Sequence, residues 1–366
     1  MPSLATLRIV EPNLTGHAGH YGEFVRALAS RVAPDEGRIE VDAGVGAESL
    51  TDPRLPHLIL RESAPRGEWS VVRECVRDPN APFLILTAQA KHAVMLQLAR
   101  ARGGTLEHVR LYFHWRESSL LKRMAALASP AVRRECLAVC PTPVTAAFLR
   151  RTGWSRVAEV PYPAIAPAHS FPATGPRHLL MAGAARMNKG LRELAGACET
   201  WSRQSGAPLP VLVQATGKRS GRQGRLEAEL LGRLAQRQFP WLTLDASAPD
   251  RAGYAQRFSG AIVLAPYDPM VFADNVSGVA LDALLHGAPV VATAGTWAAR
   301  VVERFGAGVV MEEWTAAALA EAVSQAVARW ETIAAAARVA AGTLAREHDP
   351  ANLWAVLTSG RQASDR

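Results

Sequence analysis

The sequence predicts an α/β protein of two domains, each a parallel sheet alternating with helices. Three observations carry this reading. Short apolar runs rich in Val, Ile and Leu recur between amphipathic stretches, the pattern of buried parallel strands and their crossover helices. The segment Val160 to Pro176, VPYPAIAPAHSFPATGP, is dense in proline and shows no periodicity, so it reads as a linker. At 366 residues the chain exceeds what one hydrophobic core usually supports. Residues 1–165 and 166–345 are the expected domains, and 346–366 a closing helical segment.

In the first half, Leu7 to Val10 is a strand. It leads into the loop GHAGHYG (Gly16 to Gly22) and a helix from Tyr21 to Val32. A glycine-rich loop at that place lets backbone N–H groups approach a phosphate or sugar. Its spacing, G-x-x-G-x-x-G, is not the dinucleotide fingerprint. Ile39–Val41, His57–Leu60 and Phe83–Leu86 are strands, the last followed by a helix from Lys91 to Arg102. Val109 to Phe113 is another strand, with His114 just beyond its carboxyl end, where open parallel sheets collect ligands. His114 is placed there either for work on a ligand or as a hydrogen-bonded core histidine. A basic helix (Leu120 to Leu127), the strand Cys136 to Val139 and a helix from Val144 to Arg151 complete this half.

The second half restarts with the strand His178 to Gly183, the turn AARMNKG (Ala184 to Gly190) and an amphipathic helix from Leu191 to Trp201. Arg186 and Lys189 lie in that turn, where their charges join the positive end of the following helix dipole. That arrangement suits a diphosphate, and an idle surface turn is the competing reading. The alternation continues with Val211–Gln214, a basic loop from Lys218 to Arg225, a helix to Arg237, and the strand Trp241 to Leu244. A helix around Tyr254 and the strand Ile262 to Ala265 lead to the stretch DNVSGVALDALLHGAPVVA, Asp274 to Ala292. There Ser277 is the expected N-cap, Gly278 to His286 the helix, Gly287 its stop and Val290 to Ala292 a core strand. Asp282 stands out among Val279, Leu281, Leu284 and Leu285, because a carboxylate in such company costs several kcal/mol unless something hydrogen-bonds it. A second acid, Asp274, sits in the loop that enters the helix. A helix near Trp297, the strand Gly308 to Met311, helices from Thr315 to Glu347 and the apolar stripe of HDPANLWAVL close the chain.

Composition narrows the class. Cys136 and Cys140 flank an apolar run and are expected as buried thiols on a strand, and with Cys75 and Cys198 they offer no other ligand spacing, so a reducing compartment is expected. The N-terminus shows no signal peptide and no run reaches membrane-spanning length, so a soluble cytoplasmic protein is expected. The net charge of +8 concentrates between Lys91 and Arg134, where Arg100, Arg102, Arg110, Arg116, Lys122, Arg123 and Arg133 face only Glu107 and Glu117. Such a segment reads either as an anion-seeking face or as a solvated arginine-rich surface.

These residues carry a resemblance. The chain resembles the GT-B glycosyltransferases, and its second half is similar to the family-4 retaining glycosyltransferases. The matching features are the acid pair Asp274 and Asp282, the ending Gly287-Ala288-Pro289-Val290, the basic turn Arg186 with Lys189-Gly190, and Ser277-Gly278. The family's acids are commonly glutamates, so this chain departs by one methylene at each. The resemblance implies two Rossmann-like domains facing across a cleft, 1–165 on the acceptor side and 166–345 on the donor side, with 346–366 crossing back. It implies transfer of a sugar from a nucleoside-diphosphate donor with retention, without a metal or other cofactor, in cell-envelope or exopolysaccharide assembly. Arg186 and Lys189 would neutralise the leaving diphosphate, Asp274 and His114 would hold the donor sugar, and Asp282 the ribose. Backbone groups of Asn275, Val276, Ser277 and Gly278, and the loop glycines Gly16 and Gly19, would meet the donor. The implied partners are the donor and a glycan or lipid-linked acceptor, with peripheral contact to an anionic membrane through Lys91 to Arg134 and no nucleic acid. An inverting GT-B transferase, a sugar-nucleotide epimerase and a non-catalytic nucleotide-sugar- or anion-binding protein remain the alternatives.

Overall fold

The computed structural model describes residues 5–15, 20–47, 51–62, 67–116, 124, 128–167, 174–204, 206–215, 221–247 and 249–359. The chain divides into two compact units: Met1–Ile165 with Glu347–Arg366, and Ala166–Arg346.

The first unit holds seven strands: β1 (Ala5–Glu11), β2 (Gly37–Ala43), β3 (Leu58–Glu62), β4 (Phe83–Ile85), β5 (Val109–Tyr112), β6 (Leu137–Cys140) and β7 (Val157–Glu159). They pair in parallel in the order β3-β2-β1-β4-β5-β6-β7. Both faces are covered. Leu7 and Ile9 of β1 pack with Phe24, Leu28 and Ile39 on one side, while Val10 packs with Val71, Ile85 and Leu96 on the other. That double burial is why these strands read as continuous apolar runs. The chain returns to this unit at its end. Helix Pro350–Thr358, N-capped by Asp349, buries Leu353 and Leu357 completely beside Phe24 and Tyr112.

The second unit holds β8 (His178–Met181), β9 (Val211–Gln214), β10 (Leu242–Asp245), β11 (Ala261–Ala265), β12 (Val290–Thr293) and β13 (Gly308–Met311). Their order is β10-β9-β8-β11-β12-β13, again all parallel. In both sheets successive connections run outward one way and then the other, so each has a topological switch point. It lies between β1 and β4 in one sheet and between β8 and β11 in the other. Ligands of open α/β sheets bind in the crevice beyond the strand carboxyl ends there.

Several elements differ from the sequence expectation. Helix Gly67–Arg77 goes unread in the sequence, because its buried Val71, Val72, Cys75 and Val76 form a narrow stripe interrupted by Arg73 and Glu74. The short helices Pro130–Glu135 and Pro269–Phe272, and β7, were likewise unread; none is long enough to show a period. Residues Gly221 to Arg225 are helical, not loop: they open helix Gly221–Gln236, where basic side chains occupy the exposed face. The expected helix Leu120 to Leu127 lies almost wholly outside the described residues.

Among the described residues, the basic side chains of Lys91 to Arg134 divide between buried, paired and exposed positions. Arg110 is buried, and its guanidinium donates to Leu357 O (3.2 Å), Ser359 O (3.0 Å) and Glu107 O (2.8 Å), clamping the carboxyl end of the last helix. A cation at that end meets the negative pole of the helix dipole. Lys91 pairs with Glu68 (2.6 Å), Arg100 with Glu135 (3.1 Å), and Arg133 donates to Thr152 O (3.1 Å). Arg102, Arg116 and Arg134 are exposed, and Lys122 and Arg123 lie outside the described residues.

The Glu68 pair gives a pH prediction. Burial opposes ionisation, but hydrogen bonds from His92 and Lys91 outweigh it and hold the carboxyl from its ordinary 4.5 down to about 2. A depressed acid stabilises the fold above the ordinary carboxylate range, and that contribution is lost as pH falls toward about 2. Glu68→Gln is expected to cost about 1 kcal/mol at neutral pH, after screening of a partly exposed pair. The same variant should flatten the fall in melting temperature below pH 4.5 in calorimetry.

Candidate functional site

The candidate site grows from the carboxyl edge of the second sheet. After β8 the chain turns through Gly183 to Gly190, and the turn is held from both neighbouring strands. Gly183 N donates to Gln214 Oε1 at the end of β9 (2.7 Å), and Ala185 N to Gln214 O (3.1 Å). On the other side Asp268 N, just past β11, donates to Asn188 O (3.0 Å). The buried Glu227 of helix Gly221–Gln236 accepts from Met187 N (3.1 Å). Gly190 ends the turn at φ +82°, where a Cβ would stand 2.2 Å from Pro266 O, so only glycine fits. Helix Leu191–Arg203 follows at once, its apolar face of Leu191, Leu194, Cys198 and Trp201 in the core.

Arg186 and Lys189 are thus presented, half-buried, by a locked turn at the switch point. The ammonium of Lys189 lies beside Gly183 and the first turn of helix Gly278–Leu285. A methyl group built on Gly183 would sit 3.3 Å from Lys189 Nζ and 3.2 Å from Val279 Cγ2. The same ammonium lies 5.8 Å from the centre of the Tyr267 ring. Tyr267 is buried, with its hydroxyl a long 3.5 Å from Ser277 Oγ. Burial pushes its phenol up to about 12, and the negative charge of Asp282 adds to the rise.

Helix Gly278–Leu285 forms as expected. Ser277 Oγ accepts from Ala280 N (3.1 Å), and Gly287 turns the chain at φ +70°. Leu281, Ala283, Leu284 and Leu285 are buried, and Asp282 is half-buried. The hydrogen bond that a carboxylate in this setting needs comes from Tyr254, whose Oη donates to Asp282 Oδ2 at 3.0 Å. Tyr254 was missed as a site residue. Its helix, Arg251–Gln256, is too short for a period, and nothing in the sequence links it to a residue 28 positions away.

Asp274 is buried in the loop before that helix, its Oδ1 3.8 Å from Arg300 Nη2. Arg300 of helix Trp297–Phe305 also donates to Ala273 O (2.6 Å) and Gly295 O (3.4 Å), tying the loops that follow β11 and β12. Asn275 Nδ2 donates to Val271 O (2.8 Å), and Val276 is half-buried. Gly278 is exposed, with nothing within 4 Å of a built Cβ.

In the first unit, His114 lies two residues past β5, half-buried within a cluster of rings. Tyr112, Trp115, Phe24 and Tyr162 stand 4.7, 5.6, 6.1 and 6.2 Å away, centre to centre. At the switch point of this sheet the buried Glu11 ends β1 and accepts from Thr87 Oγ1, Asn13 N (3.0 Å) and Asn13 Nδ2 (2.8 Å). Burial raises its carboxyl above the usual range. Glu11 too went unread, although an acid closing the first strand before a glycine-rich loop was a visible signal. Gly16 and Gly19 lie outside the described residues. Among the described residues, no group of three or more His, Cys, Asp or Glu side chains is arranged to hold a metal ion, and no helix is long and apolar enough to cross a membrane. All four cysteines are buried and free.

No protein-family model matches the sequence, and no curated protein matches it in sequence. Solved structures do match, over nearly the whole chain. HepE from Anabaena, in complex with UDP and glucose, superposes with TM-score 0.70 at 12% identity, covering 98% of this chain and 99% of its own. Sucrose-phosphate synthase from Thermosynechococcus elongatus gives 0.67 at 17%, covering 98% of each chain. A glycosyltransferase from Rickettsia africae gives 0.70 at 13%, covering 98% of this chain and all of its own. The two parallel sheets and their crossover helices have the architecture of the GT-B glycosyltransferases, and that is the fold of this protein.

Proposed function

We propose that this protein is a retaining glycosyltransferase that moves a sugar from a nucleoside-diphosphate donor to a glycan or lipid-linked acceptor. The observation that carries the reading is the grouping at one switch point of Lys189, the Ser277-capped helix start and Asp282. A cation, a ring of backbone N–H groups and a hydrogen-bonded carboxylate are what a diphosphate joined to a ribose requires. HepE has also been captured with UDP-glucose, and a trehalose-6-phosphate synthase structure with UDP-2-fluoro glucose. Both favour a uridine donor.

In this reading Arg186 and Lys189 bind the diphosphate, Asp282 the ribose and Asp274 the sugar. Backbone groups from Asn275 to Gly278 complete the anion cradle. The acceptor hydroxyl attacks C1 on the face from which the diphosphate departs, and its proton passes to the departing phosphate oxygen. Negative charge grows on that oxygen as the glycosidic bond breaks, so fixed cations stabilise the transition state more than the ground state. The two cations take the neutralising role that a metal fills in other transferases. We place the protein in the cytoplasm, in cell-envelope or exopolysaccharide assembly, with exposed Arg102, Arg116 and Arg134 available to an anionic membrane.

A thermal-shift screen of nucleotide-sugars tests the donor, since a ligand at 100 times its Kd adds about 2.7 kcal/mol to stability. A shift of several degrees with one UDP-sugar, followed by a product of unchanged anomeric configuration by NMR, is expected. An inverted product overturns retention, and no shift with any nucleotide-sugar overturns the donor reading.

A further inference from the structure

We propose that Tyr254 is a positioning residue that aims Asp282 at the donor ribose, so that the protein distinguishes ribonucleotides from 2′-deoxyribonucleotides. The inference deepens the donor reading above and rests on it.

An aspartate places its carboxylate one methylene closer to the backbone than a glutamate does, so what it faces depends on what holds it. Here the Tyr254 hydroxyl donates to Oδ2 at 3.0 Å, within the ordinary range of O–H···O hydrogen bonds. Tyr254 is itself fixed. Asp250 caps its helix by accepting from Gly253 N (2.7 Å), and its ring meets Phe258 edge-to-face at 5.1 Å. Phe258 in turn stacks on His286 at 5.0 Å with ring planes 8° apart, and His286 directly follows the helix that bears Asp282. Arg257 of the same segment is paired with Asp245 at the end of β10.

The two segments are therefore joined twice, through the phenol at mid-helix and through stacked rings at the helix end. Of the two joints, the phenol's hydrogen bond is the one that reaches the carboxylate and orients it. The 2′- and 3′-hydroxyls of ribose are neighbouring donors that meet a carboxylate well only when its plane is set beforehand. A site built around a hydroxyl rejects the analogue that lacks it, because its own acceptor is then left unpaired.

Calorimetric titration of the full chain with UDP and 2′-deoxy-UDP tests this. The parent is expected to bind UDP at least about tenfold more tightly, the worth of one hydrogen bond to a charged group. Tyr254→Phe, which keeps the ring contacts, should narrow the ratio below about threefold, with inorganic pyrophosphate binding unchanged. Asp282→Asn should erase the ratio, and adding Tyr254→Phe to it should change nothing more. A parent without ribose preference, or a Tyr254→Phe variant that keeps it, overturns the proposal alone. A parent that binds none of UDP, ADP and GDP overturns the donor reading, and the proposal with it.

Discussion

Lys189→Ala is expected to lower the turnover of sugar transfer by about 10²–10³-fold, the usual cost of removing one preorganised group from a developing negative charge. The melting temperature should fall by no more than about 4 °C, the most that a loss of about 1 kcal/mol produces in a unit of this size. The ring neighbour of Lys189, Tyr267, is 5.8 Å away, a distance worth about 1 kcal/mol at most for a half-exposed cation. Lys189→Arg should not restore activity. The ammonium occupies a narrow space between Gly183 and Val279, 3.3 Å from where even a methyl on Gly183 would lie. A planar guanidinium is broader and cannot enter it without moving the helix start. Steady-state kinetics with a UDP-sugar and a calorimetric scan check both halves, and unchanged turnover in Lys189→Ala would remove the residue from the reaction.

Gly190→Ala should have the largest effect on stability. The residue's φ of +82° costs an L side chain about 1–2 kcal/mol, and the new methyl would stand 2.2 Å from the carbonyl oxygen of Pro266. That carbonyl cannot yield easily, since it accepts from Trp314 Nε1 at 2.8 Å. A loss of about 3 kcal/mol is expected, or about 6–12 °C in melting temperature for a unit of this size. Activity should fall with it, because the turn carrying Arg186 and Lys189 must shift to relieve the contact. Gly278→Ala is the contrasting variant: its methyl enters open space, so the melting temperature should hold while donor affinity weakens if phosphates approach there. Scanning calorimetry of the pair decides the matter. Equal stability of the two variants would mean that the turn yields freely.

Much of the fold could be read from residues that act locally. The apolar runs that became β1, β4, β8, β11 and β12 are buried on both faces, and such strands announce themselves by composition. Ser277 caps its helix and Gly287 ends it because capping chemistry needs only neighbours within a few residues. Charge was read less well. The arginines between Lys91 and Arg134 look alike in sequence, yet Arg110 is buried and holds the last helix while Arg134 is exposed. Their fates depend on partners as far away as Leu357 and Ser359, which no local pattern encodes.

The site divides along the same line. The sequence by itself determined the strand–turn–helix units, the basic turn at Arg186 to Gly190 and the incongruous acids Asp274 and Asp282, each a property of a short window. Tertiary structure alone decided which of these meet. Parallel pairing of β8 with β11 sets the basic turn against the acid-bearing helix, although Lys189 and Val279 are far apart in the chain. It also supplied the partners that make the charges tenable: Tyr254 for Asp282, Arg300 for Asp274 and Glu227 for the turn backbone. A buried or half-buried polar group must find its complement wherever the chain brings one, and that complement is set by sheet order and not by sequence distance.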